Sequence, residues 1–210
     1  MKYCMVLVLL FLSSGVYADD VLDGHEAYQN KDFPKAALLY EKGCNGGSAL
    51  GCSLLGLMYE DGKGVKKDYV KAASLYEKGC NGNDAIGCTN LGAIYQLGKK
   101  DVKQDYAKAI SLYEKGCNGN NALGCILLGG MYYEGRRVKQ DDLKAASLYE
   151  KGCNGNHAIG CWALGLMYED GQGVKQDYIK ALELFKKACD MKEERGCEEY
   201  TATLKKAFGQ

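Results

Sequence analysis

The sequence predicts an all-α protein built as an α-solenoid of antiparallel helix pairs. Three observations carry this. The segment Lys-Gly-Cys-Asn-Gly recurs with its cysteine at Cys44, Cys80, Cys117 and Cys153, and again in the form Lys-Ala-Cys at Cys189, at spacings of 36, 37, 36 and 36 residues. Each of these cysteines is followed eight positions later by another: Cys52, Cys88, Cys125, Cys161 and Cys197. Each period also holds two helical patterns and no strand pattern, and a fixed period of this length is the mark of stacked repeats.

In chain order, the first eighteen residues read as a secretory signal peptide. Lys2 supplies the positive start, Met5 to Leu12 the apolar core, and Val16-Tyr17-Ala18 the small-residue cleavage site before Asp19. Cys4 precedes the apolar core, which argues against lipid attachment there. Residues 19–210 are then expected to form one exported solenoid domain, periplasmic or extracellular. Its repeats fall at about 19–44, 45–80, 81–117, 118–153 and 154–189, with a polar capping helix at 190–210. In the first unit, Asp23 to Lys42 has a short loop (Asn30-Lys31-Asp32) and an unpaired first helix.

The second unit is the model for the rest. Ala49 to Gly62 has apolar residues three and four apart, and Asp68 to Cys80 is a second helix opened by an aspartate that can accept from first-turn amides. Gly62-Lys63-Gly64 gives the turn between them positive-φ freedom, and Asn81-Gly82 supplies a left-handed helix end. The one extra residue in the chain falls in the loop Leu97 to Tyr106, where a stack tolerates it. Pro34, the chain's single proline, lies near a helix start where its missing N–H costs least.

Charge excludes some functions. With Lys2 removed from the 27 basic residues, the balance against 27 acidic ones is about −1, so neither nucleic acid nor an acidic membrane surface is an expected partner. No mature segment is apolar enough to span a membrane, and a monomer is expected.

These residues resemble the Sel-like repeat, a tetratricopeptide relative with the pattern A-x-x-L-G-x-x-Y-x-x-G-x-G-V-x-x-D-x-x-K-A. Ala49 to Ala72 and Ala158 to Ala181 fit it. The paired cysteines narrow the match to the Helicobacter cysteine-rich family of secreted Sel-like repeat proteins. The resemblance implies a right-handed solenoid, and it implies penicillin binding or slow β-lactam hydrolysis, the activities attached to that family.

Connectivity of ten cysteines is formally open, but five copies of one spacing favour local bridges: Cys44–Cys52, Cys80–Cys88, Cys117–Cys125, Cys153–Cys161 and Cys189–Cys197. Each would staple a repeat to its successor. Metal is the rival reading. Zinc wants four ligands per site with a C-x(2–4)-C half, whereas each unit here offers two cysteines, and only His25 and His157 remain to complete a site. No metal or other cofactor is expected. Redox chemistry would favour C-x-x-C, which does not occur.

No catalytic residue can be nominated. S-x-x-K, S-D-N and K-T-G are all missing, and the recurrent Ser74 to Lys78 has one residue too many. Lys71 and Glu77, like Lys144 and Glu150, read as a solvated face. The recurrent tyrosines, and Gly56, Gly92, Gly129 and Gly165, read as seam packing.

The positions that differ between repeats are more informative, because framework residues must repeat and a binding surface need not. On the first helices one stripe varies: Ser53, Leu57, Glu60; Thr89, Ala93, Gln96; Ile126, Gly130, Tyr133; Trp162, Leu166, Glu169. In solenoids such helices line the concave, ligand-holding surface. The stripe predicts a groove with an apolar, aromatic centre at Ile126, Gly130, Tyr133, Trp162, Leu166 and Glu169, and a dent at Gly130. Its ligand would be a β-lactam, a peptidoglycan-like fragment, or a peptide or protein partner.

Overall fold

Each helix pair is set by its ends. Asp32, Asp68, Asp141 and Asp177 cap the second helices, their carboxylates accepting from the backbone N–H three residues on. Ser48, Asp84 and Asn121 do the same for the first helices. The long loops begin on left-handed glycines: Gly62 and Gly64, at φ 74° and 69°, turn as expected. At the short turns the left-handed residue is one later than Asn-Gly predicts. Gly82 has φ −83° and Asn83 carries φ 66°, as Asn120 and Asn156 do in their turns. The glycine instead closes the helix, its N–H donating to Lys78 O.

The computed structural model describes residues 19–209, so the expected signal peptide and Cys4 lie outside the described residues. Eleven helices and no strand occur among the described residues. The chain divides into two compact units at Asp105/Tyr106. The first holds α1 (19–29), α2 (Phe33–Asn45), α3 (Ala49–Asp61), α4 (Tyr69–Asn81) and α5 (Ala85–Leu97). The second holds α6 (Tyr106–Asn118), α7 (Ala122–Glu134), α8 (Asp142–Asn154), α9 (Ala158–Asp170), α10 (Tyr178–Asp190) and α11 (Glu194–Phe208). Within each unit consecutive helices pack together, and first helices of neighbouring repeats also touch: α3 with α5, α7 with α9, α9 with α11. This is a helical solenoid of paired helices.

All five local bridges form, with Cα–Cα separations of 4.4 to 4.6 Å. Each joins the end of a second helix to the start of the next first helix and contributes about 2.5 kcal/mol by loop-closure entropy. The recurrent tyrosines seat as rings in glycine notches. A Cβ on Gly24, Gly56 or Gly129 would lie 2.8 to 2.9 Å from the ring of Tyr40, Tyr76 or Tyr149, and one on Gly165 would lie 2.6 Å from Phe185. The first helix carries no cysteine but packs by the same rule, because Gly24 provides the notch that Tyr40 fills. At the other end Thr201 replaces the notch glycine, so α11 can seat no further ring.

Candidate functional site

The variable stripe is half interior. Ser53, Thr89 and Ile126 are buried, and they pack toward the facing second helix; a Cβ on Gly152 would meet Ile126 at 2.5 Å. Their variation is a volume match in the seam. Trp162, at the equivalent position, faces Ala188 where the other repeats have glycine, and the larger ring is held half-buried instead. It packs with Leu184 and Met191 beside the Cys153–Cys161 bridge, and the Arg195 guanidinium covers its ring at 4.0 Å. Its indole N–H is buried with no hydrogen-bond partner.

The third stripe position is also partly occupied from within. Glu60 accepts from the Tyr76 hydroxyl at 2.8 Å. In the repeat ending at α10, Phe185 replaces that tyrosine, and Glu169, 5% exposed, accepts instead from Thr203 and Lys206 of α11, each at 2.9 Å. Ile126 and Glu169 thus belong to the interior of their unit, while Gly130, Tyr133, Trp162 and Leu166 reach its surface.

Gly130 presents no side chain on this face. It stands where other repeats carry Leu57, Ala93 and Leu166, and a Cβ built on it would meet only the Tyr149 hydroxyl, at 3.7 Å. That hydroxyl is the counterpart of the one Tyr76 donates to Glu60, but here the acceptor position is Tyr133. Tyr149 consequently has no hydrogen-bond partner among the described residues, and burial together with the Glu134 carboxylate pushes its pKa up to about 12. Tyr133 is 37% exposed and donates its hydroxyl to Gln172 Oε1 at 2.9 Å, which fixes the rim. The sequence signal for this phenol was available in the loss of the Glu60-type acceptor at Tyr133.

Other recurrent side chains are structural. Lys71 and Lys144 do not merely face solvent: each donates to the tyrosine of its paired helix, Lys71 to Tyr59 at 2.6 Å and Lys144 to Tyr132 at 2.7 Å. Those hydrogen bonds raise both lysine pKa values and keep the ammonium form. His25 is hydrogen-bonded to Gln29, and His157 stands at the N-cap of α9. Among the described residues no group of three or more His, Cys, Asp or Glu is placed to hold a metal, and no helix is long and apolar enough to cross a membrane.

Tandem helix pairs held by notches and bridges define a helical-repeat scaffold, with its chemistry displayed on helix faces. The model of the Sel1 repeat matches residues 21–48, 49–84, 85–121, 122–157 and 158–192, and the chain belongs to the Sel1 repeat family. A Sel1 repeat protein from Oxalobacter formigenes is 26% identical with a TM-score of 0.84, over 91% of this chain and 80% of that one. A protective antigen of uropathogenic Escherichia coli is also 26% identical, with a TM-score of 0.81 over 92% of this chain but 42% of its own. Helicobacter pylori cysteine rich protein B is 35% identical over 64% of this chain and 96% of that one, at a TM-score of 0.51. A Helicobacter pylori protein named "Putative beta-lactamase HcpE" is 42% identical over 43 residues, which is 20% of this chain and 12% of that relative. The resemblance to the Helicobacter cysteine-rich proteins therefore holds.

Proposed function

We propose that this chain is an exported binding scaffold whose second unit holds an extended peptide, or a peptidoglycan-like stem, across the α7 and α9 face. One observation supports the reading most directly: Gly130 puts no side chain over a Tyr149 hydroxyl that has lost its internal acceptor. The ring is buried but its hydroxyl stays open to solvent, so the phenol is free to donate to a group that enters here. A peptide carbonyl or a carboxylate has the matching acceptor. Tyr133 and Leu166 offer apolar walls, with aromatic area suited to a small, specific contact. Five disulfides support export, since such bridges persist in oxidising compartments.

The second reading, β-lactam binding with slow hydrolysis, is supported by the name borne by the Helicobacter pylori relative, with no residue nominated for the chemistry. A single experiment separates the two. Oxidised protein is titrated with a panel of acetylated tetrapeptides, half of them ending in D-Ala-D-Ala, and is separately offered excess chromogenic cephalosporin. The scaffold reading expects saturable one-to-one peptide binding that is lost in Gly130→Leu and weakened about tenfold in Tyr149→Phe, with no turnover. Both substitutions are residues the chain itself uses at the equivalent positions, Leu57 and Phe185. Peptide binding indifferent to both variants would refute the placement, and sustained turnover would establish the hydrolase.

A further inference from the structure

The loop junction between the second and third repeats departs from the others in a way the groove does not explain. Position 67 is lysine, where the equivalent loops carry Gln104, Gln140 and Gln176. The extra residue of the chain falls in the neighbouring loop and comes with Lys99-Lys100. The two departures meet in space within the first unit. Lys66, Lys67, Asp68, Tyr69 and Val70, at the start of α4, line a recess of about 520 Å³ with Lys100 and Asp101. The half-buried Tyr69 ring is its aromatic wall, with the Lys67 ammonium 5.0 Å and the Lys99 ammonium 5.5 Å from the ring centroid.

Three lysines therefore line one concavity that contains two carboxylates, and a fourth, Lys99, stands beside its aromatic wall. Asp68 is already engaged, since its Oδ1 accepts from the Lys71 backbone N–H as the cap of α4. A hydrogen bond with the Tyr69 hydroxyl keeps Lys67 protonated by raising its pKa. Ammonium groups are compact point charges that bind phosphate oxygens, and several around one recess favour an anion of more than one charge. A volume of about 520 Å³ lies in the range of small-ligand sites and exceeds what a single monovalent ion needs. The net charge of the chain hides this local excess, because acidic residues elsewhere balance it.

We propose that Lys66, Lys67, Lys99 and Lys100, with Tyr69, form a binding site for a multiply charged phosphate, either free or carried as an ester on a small molecule such as a sugar. The test uses the full, oxidised chain and two probes, inorganic pyrophosphate and glucose 6-phosphate, by calorimetry at fixed ionic strength. Amide chemical shifts are followed in parallel. The expected result is saturable one-to-one binding, shifts centred on residues 66–70 and 99–101, and affinity lowered at least about tenfold in the double variant Lys67→Gln, Lys99→Gln. Lys67→Gln alone installs the residue of three sister loops, so its weakening of binding cannot be a failure to fold. The distant pair Lys139→Gln, Lys175→Gln should leave binding unchanged. Tighter binding of pyrophosphate assigns the free anion, and tighter binding of the sugar phosphate assigns the ester. No saturable heat with either probe, shifts centred elsewhere, or binding unaffected by the double variant would overturn the site.

Discussion

Two tyrosines at equivalent positions should answer the same substitution differently. Tyr76 and Tyr149 both seat in glycine notches, and both are buried. Tyr76 donates to the Glu60 carboxylate at 2.8 Å, and Tyr149 donates to nothing in the described chain. Tyr76→Phe leaves a partly buried carboxylate without its donor. A hydrogen bond to a charged group is worth about 1.5–3 kcal/mol, and the water access of Glu60 lowers the expectation to about 1–2 kcal/mol. For a chain of this size that is a fall in Tm of about 2–8 °C. Tyr149→Phe removes a hydroxyl that has no protein partner and reaches solvent, and should be close to neutral. The assay is urea unfolding of the oxidised variants, read as a shift in midpoint at constant slope, with calorimetry as a check. Equal losses in the two variants would refute the claim that Tyr149 is unpartnered, and with it the main support for the peptide-binding reading.

Three further outcomes follow from the packing. The Cys189–Cys197 bridge is half-exposed among the described residues, whereas the other four are buried, so it should be the first reduced by a limiting thiol. Differential alkylation and mass spectrometry would show this, and an interior bridge opening first would contradict it. Burial raises the phenol of Tyr149 to about 12, and those of Tyr76 and Tyr113 also move up, while in the unfolded chain all three release their protons near pH 10. The folded state binds more protons between those values, so stability is intact below about pH 10 and falls as pH rises toward 12. Absorbance at 295 nm should show a late tyrosine wave coincident with loss of helix; one wave near pH 10 with the fold intact would be the contrary result. Gly165→Ala drives a methyl group into Phe185 and should cost about 1–3 kcal/mol, whereas Gly130→Ala makes only an ordinary contact with the Tyr149 hydroxyl and should gain up to about 1 kcal/mol of helix propensity. Similar melting shifts for the two would contradict the notch geometry.

How much of this was legible in the sequence depended on the kind of helix. The second helices, such as Tyr69–Asn81, carry a clear apolar stripe and capping aspartates, so their boundaries and buried Tyr76 could be read directly. The cysteine spacing likewise gave local bridges through symmetry alone. First helices such as Ala49–Asp61 are apolar nearly all round, because they touch second helices and also the first helices of neighbouring repeats. Periodicity cannot choose a face on such a helix. That is why Ser53, Thr89 and Ile126 were assigned to a surface when they fill a seam, and why Glu169 was read as groove when Thr203 and Lys206 bury it. The polar partners came from residues 34 and 37 positions away, a separation that no local pattern exposes. The left-handed Asn83 was missed for a different reason, since Asn-Gly favours the glycine until the helix-closing hydrogen bond to Lys78 claims it.

Variation between repeats therefore has two sources that only packing separates. At position 53 and its equivalents it tracks volume, with each side chain answered by the glycine or alanine opposite, and such variation costs the fold little. At Gly130, Tyr133 and Tyr149 it removes what the other repeats use: a side chain that covers, a carboxylate that accepts, a hydroxyl that is satisfied. Tyr133 finds a new acceptor in Gln172, but no side chain covers Gly130 or accepts from Tyr149 in the described chain. Proteins break their own local rules chiefly where a ligand supplies the missing contact. The three departures share one helix face and the ring beneath it, so a single bound acceptor group would restore the hydrogen bond and the buried volume together.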